Sequence, residues 1–313
     1  MRNAVERAGL GPNEIELLSA ATTMPDVMGP GHASMVHGEL GYGPLEIATA
    51  HGICSCGMMA LKNAYLQVAI GEKRNAICVA SELASRGFKS TRYDEMEAID
   101  DDGSLPMETA FLRYMLSDGA GAVVVESAPA ASGVSLRIDW ISLTSFANTE
   151  NACMFFGSND NACAKTWGDY PNVAAAAADG AFALRQKLSL LPHLVRLGID
   201  EYERLLAMDK FDPDTVTWFP AHYSSERMKA MMMGEFARRG VAVGSPEAWY
   251  SNLTRVGNIG SAAIFVILDE MMTEGLIREG DTLLCMVPES GRFAVSYMHL
   301  TAVTDAAASG SQP

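Results

Sequence analysis

Continuously apolar segments of strand length recur along this 313-residue chain, and several run directly into segments with helical spacing. Residues 15–23 and 75–83 are two of them. Strands that are apolar throughout, rather than at alternate positions, are covered on both faces of their sheet. Because the pattern restarts after Ala130, we predict an α/β fold of two duplicated mixed-sheet halves, residues 1–130 and 131–313.

The second half contains a longer middle segment, at about 146–215, that is irregular and then helical. After it, the pattern predicts a strand at 216–222, helices at 224–240 and 260–276, and a closing pair of strands at 281–289 and 292–303. Residues 92–110 are acidic and loop-like, and the tail from Thr304 has the composition of a disordered end.

Composition excludes several classes of protein. A net charge of −15 would repel nucleic acid. No apolar run reaches the ~18–20 residues of a membrane span, and the first residues lack the apolar stretch of a secretory signal. The six cysteines are too scattered for a disulfide framework, and a lone C-x-C is weak support for zinc. We therefore expect a cytoplasmic protein with no metal and no nucleic acid or membrane partner.

The stretch "HGICSCGMMAL" places Cys54 where the strand-like residues 45–53 meet a helix that starts near Gly57. A thiol at that position feels the positive end of the helix dipole, so its thiolate is favoured. Backbone N–H groups of the first turn could also hold an oxyanion. The alternative is that Cys54 is a small buried apolar residue.

Two polar residues follow at similar junctions. His222 stands at a strand end before a helix, and Asn258 stands in a Gly-flanked loop at a helix N-terminus. Open α/β sheets gather such junctions at one edge, so both side chains can converge on Cys54. Each also has a structural interpretation, His222 as a buried histidine with satisfied hydrogen bonds and Asn258 as a helix cap or turn residue.

These segments resemble ketoacyl synthase III enzymes and their chalcone synthase-like relatives. In that family the nucleophilic Cys is followed, six and seven places on, by Ala-Leu. Counting from Cys54 gives Ala60 and Leu61, whereas counting from Cys56 does not. Further matches are residues 21–27 to an upstream strand and loop, 117–126 to G-D-G-A-G-A, 218–227 to W-L-V-P-H-Q-A-N-x-R and 257–270 to G-N-T-S-A-A.

The resemblance implies a thiolase-like fold of αβαβα layers, a homodimer formed through central strands, and the catalytic residues Cys54, His222 and Asn258. It also implies an oxyanion hole formed by the Cys54 N–H and an N–H near Gly291 or Arg292. No cofactor is expected, since CoA or phosphopantetheine thioesters are the substrates. Acyl-CoA or an acyl carrier protein would therefore be the partner.

Positive charge follows His222 on an otherwise acidic protein. Arg227 matches a family arginine, and Lys229, Arg238 and Arg239 lie on the same predicted helix. Local positive charge suits CoA phosphates or an acidic carrier protein, so we expect Arg227 and Lys229 to bind them. A solvated helix face is the alternative, above all for Arg238 and Arg239.

The activity that this resemblance implies is a decarboxylative Claisen condensation. An acyl group would pass from a thioester to Cys54, and a malonyl-type or β-ketoacyl thioester would then attack it. Specialised polyketide or fatty-acid-derived metabolism is the expected setting. One alternative is an acyltransferase that loads a hydroxyl, an amine or a carrier protein without condensation. Another is a non-catalytic partner subunit of a heteromeric synthase.

The chain also departs from the family pattern. The residue before His222 is Ala221, with the proline moved back to Pro220, and residues 223–225 are Tyr-Ser-Ser instead of Gln-Ala-Asn. The glycine-rich loop near the C-terminus reads "PESGRFAV". The match begins after the family's first strand, so we expect the N-terminal portion to be incomplete.

Overall fold

The computed structural model describes residues 1–94, 96, 104–241 and 243–305. Most of the acidic stretch at 95–103 and the tail from 306 lie outside these residues. The helices of the described part are α1 (Arg2–Arg7), α2 (His32–Leu40), α3 (Cys56–Ala69), α4 (Met107–Met115), α5 (Val173–Ala178), α6 (Leu191–Ala207), α7 (Glu226–Arg239), α8 (Leu253–Val256) and α9 (Ala263–Thr273). None of them has the length and apolar character that a membrane span needs.

In the described part of the chain the strands form two main sheets and one short antiparallel pair. They are β1 (Leu17–Thr22), β2 (Glu46–His51), β3 (Asn75–Glu82), β4 (Gly119–Glu126), β5 (Ser135–Ser145), β6 (Met154–Phe155), β7 (Arg185–Gln186), β8 (Thr282–Glu289) and β9 (Ala294–Val303). The first sheet has the order β2-β1-β3-β4, in which β1 runs parallel to β2 and β3, and β4 is antiparallel to β3. The second has the antiparallel order β5-β9-β8.

The first sheet is covered on both faces at its centre. Leu17 and Ala21 of β1 face a core shared with α3 and α9. Leu18 and Ala20, one residue out of phase, face a second core with Val5 of α1 and residues of α2. Because successive strand residues point to opposite faces, burial of every residue in β1 requires a layer on each side. The apolar runs therefore predicted this arrangement correctly.

The second sheet is built in the same way. Leu283 and Cys285 of β8 join the core with α3 and α9, whereas Leu284 and Met286 face α6 and α7. The order of layers is thus α1 and α2, first sheet, α3 and α9, second sheet, α6 and α7. This confirms the predicted αβαβα thiolase-like fold. The boundary at residue 130 and the incomplete N-terminal portion stay predictions.

Three features differ from the sequence expectation. Residues 107–110, predicted as part of a loop, form the start of α4. Strand β2 is an edge strand with largely exposed residues, so full coverage holds for β1 and β3 but not for β2. The predicted strand at 216–222 runs beside β8 but makes only isolated bridges, at Trp218 and Ala221. The reason is Pro220, which has no N–H and so cannot donate where a continuous parallel ladder needs a donor.

Close packing between the layers depends on glycine. A Cβ atom on Gly57, in the first turn of α3, would lie 2.2 Å from the carbonyl oxygen of Ser261, just before α9. A Cβ on Gly119 would lie 2.5 Å from Cγ2 of Ile259, and one on Gly121 would lie 2.8 Å from Cβ of Phe265. The glycines of the 117–126 segment therefore allow α9 and the loop before it to pack closely against β4.

We expect Gly57→Ala to lower the free energy of unfolding by roughly 1–3 kcal/mol, because the added methyl group meets backbone that cannot rotate away. Gly38→Ala is the matched control, since Gly38 lies in α2 with open space around its Cα. That change should raise stability by about 0.5–1 kcal/mol through helix propensity. Urea denaturation measures both. Equal effects of the two variants would contradict the packing argument.

Candidate active site

Cys54 lies in the turn between β2 and α3, two residues before the helix begins. Its side chain is buried, and the residue is only 8% exposed. The next residue fixes the turn to the second sheet: the Ser55 hydroxyl donates to the carbonyl of Val287 at 3.1 Å and accepts from the Ser296 hydroxyl at 3.0 Å. The position of Cys54 is therefore set by strands from the other half of the chain.

Two cavities meet at Cys54. The larger, of about 580 Å³, is lined by Asn258, and we name it the Asn258 cavity. The smaller, of about 340 Å³, is lined by His222, and we name it the His222 cavity. Ser224 and Ser290 line both. The structure thus brings the three predicted catalytic residues around one space, with the cysteine where the cavities join. Their individual catalytic roles stay predictions.

His222 is buried, and its position is set by β8. Its backbone N–H donates to the carbonyl of Met286 at 3.0 Å. Burial lowers the pKa of the imidazole to about 4, because a charged ring would lose its hydration. Near neutral pH the ring is therefore uncharged, with one nitrogen able to donate a hydrogen bond and the other able to accept one.

Asn258 lies in a loop whose path requires two glycines. Gly257 and Gly260 both have positive φ angles, of 78° and 55°. The side-chain oxygen of Asn258 accepts the Gly260 N–H at 3.1 Å, and its backbone carbonyl accepts the Ser117 N–H at 2.8 Å. Because the side-chain oxygen is engaged within the loop, the NH₂ group is the end that remains for a ligand. Asn258 is thus a turn residue and also a neutral donor in the cavity.

The turn between β8 and β9 contains the two residues predicted to complete an oxyanion hole. Gly291 is buried, and its carbonyl accepts the Cys153 N–H at 2.7 Å. Arg292 is exposed, and its Nε donates to the carbonyl of Glu150 at 2.7 Å. Neither lines the two cavities, whereas the preceding Ser290 lines both. Sequence reasoning passed over Ser290, although it stands in the same family loop.

Two carboxyl groups flank Cys54, the buried Glu289 and the half-buried Glu82, and sequence reasoning singled out neither. Oε2 of Glu289, at the end of β8, accepts the Ser55 N–H at 3.0 Å. Glu82, at the end of β3, accepts the hydroxyl of Thr23 at 2.8 Å and also that of Ser261. In each case the sequence signal that could have identified the residue was a Glu at the last position of an apolar strand.

These carboxyl groups reverse the expected electrostatics of the thiol. Burial raises the pKa of Cys54 well above its usual range, and the negative charges of Glu289 and then Glu82 raise it further. The expectation of a favoured thiolate is therefore wrong for the free protein, first because the thiol is buried and then because Glu289, which accepts the Ser55 N–H, places a negative charge near it. Cys56 is the first residue of α3 and is fully buried, and burial raises its pKa to about 12.

We expect Glu289→Gln to lower the pKa of Cys54, because the variant removes the adjacent negative charge and keeps an oxygen acceptor for the Ser55 N–H. The rate of Cys54 alkylation by iodoacetamide at pH 8 should then rise, with peptide mapping to separate it from the exposed Cys163. Glu226→Gln, an exposed carboxyl at the start of α7, is the control and should leave the rate unchanged. An unaltered rate in Glu289→Gln would contradict the electrostatic coupling.

The basic residues after His222 do not form one patch. Arg227 is exposed on the first turn of α7, and the described residues include no ion-pair partner for it. Lys229 instead donates to the carbonyl of Trp249 at 3.0 Å. Arg238 and Arg239 are paired with acidic side chains, including Glu235. Of the two predicted CoA or carrier contacts, Arg227 is therefore the one whose charge remains available.

Comparison with known proteins agrees with this architecture. Residues 206–294 match the family model for the C-terminal region of 3-oxoacyl-[acyl-carrier-protein] synthase III. The chain is 26% identical over 289 residues to beta-ketoacyl-[acyl-carrier-protein] synthase III 3 of Streptomyces coelicolor, which covers 90% of this chain and 74% of the relative. The corresponding enzyme of a Synechococcus strain is also 26% identical, with the same coverage.

The chain is ketoacyl synthase III-like.

Solved structures agree on the fold of this ketoacyl synthase III-like protein. OleA of Xanthomonas campestris superposes with a TM-score of 0.76 at 19% identity and covers 96% of this chain and 78% of its own. The 3-oxoacyl-[acyl-carrier-protein] synthase III of Aquifex aeolicus gives 0.71 at 20% identity, with 96% and 81% covered. AbyA1, a tetronic acid condensing enzyme, gives 0.72 at 18% identity, with 96% and 79% covered.

Proposed function

We propose that this protein is an acyl-Cys condensing enzyme that joins an acyl thioester to a malonyl-type or β-ketoacyl thioester. The observation that carries the proposal is the position of Cys54 where two cavities meet, with His222 lining one and Asn258 lining the other. The names of the sequence relatives, beta-ketoacyl-[acyl-carrier-protein] synthase III, support the same activity.

The first half-reaction loads the acyl group. Since Cys54 is a thiol at rest, its proton must leave as sulfur attacks the thioester carbonyl. The neutral imidazole of His222 can accept this proton and return it to the departing CoA or phosphopantetheine thiolate. A new carbon–sulfur bond forms at Cys54, the old thioester bond breaks, and His222 is neutral again.

The second half-reaction forms the carbon–carbon bond. A malonyl-type thioester loses CO₂, and negative charge builds on its thioester oxygen. The His222 N–H and the Asn258 NH₂ donate hydrogen bonds to that enolate oxygen as its negative charge builds. Both donor groups are uncharged. The carbanion then attacks the acyl-Cys carbonyl, and collapse of the oxyanion breaks the carbon–sulfur bond and releases the Cys54 thiolate, which takes up one proton from water.

The lining of the Asn258 cavity supports an apolar acyl group as the donor. Its wall includes Ile53, Phe111, Leu112, Met154 and Leu184. Burial of each methylene group of a ligand against apolar side chains contributes about 0.8 kcal/mol to binding. The few polar groups of the wall then fix the orientation of the ligand.

A homodimer formed through the first sheet is also part of the proposal. Strand β2 lies at the sheet edge and leads directly into the Cys54 turn. Its Ile47 is 41% exposed. An open edge with exposed apolar residues is suited to pairing with a second copy of the chain.

Cys54→Ala should abolish the intact-mass increase that follows incubation of the protein with acyl-CoA, because the variant lacks the attacking sulfur. Cys56→Ala is the matched control and should still be labelled. Release of CO₂ from a malonyl thioester by the acylated wild type would then separate condensation from plain acyl transfer. Labelling that persists in Cys54→Ala, or disappears in Cys56→Ala alone, would refute the assignment of the nucleophile.

Charge reversal at Arg227 tests the donor contact. We expect Arg227→Glu to raise KM for acyl-CoA roughly fivefold, because an exposed cation that meets phosphate contributes up to about 1 kcal/mol. Arg238→Glu makes the same charge change at the far end of α7 and should leave KM unaltered. Steady-state kinetics at low and high salt measures both. Equal KM values for Arg227→Glu and wild type would argue against a phosphate contact.

A further inference from the structure

Ser290 lies opposite Cys54, because the residues on either side of it contact the residues on either side of the cysteine. The preceding Glu289 accepts the Ser55 N–H on its Oε2 at 3.0 Å. The residue after Ser290 is a glycine, and a Cβ atom added to it would lie 2.7 Å from Cγ1 of Ile53. Ser290 and Cys54 both line both cavities. The serine therefore stands next to the space where the two cavities join.

The Ser290 hydroxyl group has a good partner for its oxygen but a poor one for its hydrogen. The oxygen accepts a hydrogen bond from Nε2 of Gln186 at 3.0 Å. The acceptor that the described residues offer to its hydrogen is Sδ of Met154, 3.8 Å away. A thioether is a weak acceptor. Because Gln186 and Met154 also line the Asn258 cavity, the hydroxyl group lies among side chains of the cavity wall.

The loop that carries Ser290 is held in place without this hydroxyl group. The Ser290 carbonyl accepts the Met154 N–H, and the Gly291 carbonyl accepts the Cys153 N–H, each at 2.7 Å. Both bonds join the loop to the start of β6. A hydroxyl group that served as one more anchor would be expected to donate to a strong acceptor, as buried polar groups generally do. Its available hydrogen instead indicates an acceptor that arrives with the substrate.

The thioester carbonyl oxygen is the acceptor that reaches this point. In the proposed reaction the carbonyl carbon is bonded to the Cys54 sulfur, so its oxygen is two bonds from that atom. It becomes an oxyanion in both half-reactions and then needs hydrogen-bond donors. Gly291 and Arg292, near which the sequence predicted a donor, line neither cavity, whereas Ser290 lines both.

We propose that Ser290 is a further catalytic residue, whose hydroxyl group donates a hydrogen bond to the oxyanion formed at Cys54, and that Gln186 is the positioning residue that orients it. The hydroxyl group keeps its proton throughout. It donates while the carbonyl electron pair resides on oxygen, and the bond weakens when a carbon–sulfur bond breaks and the carbonyl forms again. The hydrogen bond from Gln186 polarises the hydroxyl group and so strengthens it as a donor. This inference rests on the proposed acyl transfer to Cys54.

The test compares two reactions of the same thiol in wild type and Ser290→Ala. Acylation of Cys54 by acetyl-CoA or hexanoyl-CoA passes through an oxyanion, whereas alkylation by iodoacetamide displaces iodide and forms none. The maximal acylation rate, from quenched intact-mass measurements, should fall about 100-fold, the lower end of what the loss of one oxyanion donor costs. The half-saturating donor concentration and the alkylation rate should not change. Equal losses in both reactions, or an unaltered acylation rate, would overturn the inference.

Ser158→Ala is the matched control. It also removes a buried serine hydroxyl group, one that donates to the Lys165 carbonyl at 2.8 Å and does not line either cavity. This variant should be acylated at the wild-type rate. A loss as large as that of Ser290→Ala would show a general effect of removing a buried hydroxyl group and would overturn the inference.

A double-mutant cycle tests the role of Gln186. Gln186→Met keeps the length of the side chain and removes its donor, so it should slow acylation roughly fivefold, the effect of one neutral hydrogen bond. In the Ser290→Ala background the same change should have no further effect, because the group that it orients is absent. Equal losses in both backgrounds would overturn the positioning role. If no acyl-CoA acylates wild-type Cys54, the proposed function fails instead.

Discussion

The contact between α3 and the loop before α9 is the constraint on which the site depends. The two elements approach so closely that only a hydrogen atom fits between Gly57 and the carbonyl of Ser261. One helix begins just after Cys54, and the loop carries Asn258. Since both helices lie between the two sheets, a change in their spacing would move Cys54 relative to Asn258. The geometry of the proposed site therefore depends directly on packing in the central layer.

Hydrogen bonds of Ser55 and Glu289 also fix the position of the Cys54 turn. Ser55 joins the Cys54 turn to β8 and β9, and Glu289 accepts the N–H at the start of α3. This capping has an electrostatic consequence, because the carboxylate that fixes the turn also opposes ionisation of Cys54. The resting site is thus a thiol on the same cavity wall as a neutral His222, so in the proposed mechanism proton transfer accompanies the attack on the substrate.

Much of the architecture could be predicted from local pattern. The apolar runs of β1, β3 and β8 identified strands buried on both faces, and the spacing after His222 identified α7. The spacing from Cys54 to Ala60 and Leu61 selected one cysteine of two, and the structure places that cysteine where the cavities meet. The segment at 216–222 was harder, because one missing N–H at Pro220 interrupts the ladder with β8 although the chain path remains that of a strand.

The sequence by itself indicated strands covered on both faces, because hydrophobic period is a local property of the chain, and its resemblance to a known family singled out Cys54, His222 and Asn258. Only the tertiary structure decided the ionisation of the thiol and the engagement of Lys229. Each of these depends on a partner or a wall contributed from far along the chain: Glu289 lies 235 positions after Cys54, and Trp249 lies 20 after Lys229. The burial of an atom and the charge around it depend on all such neighbours together, so a pattern in consecutive residues cannot reveal them.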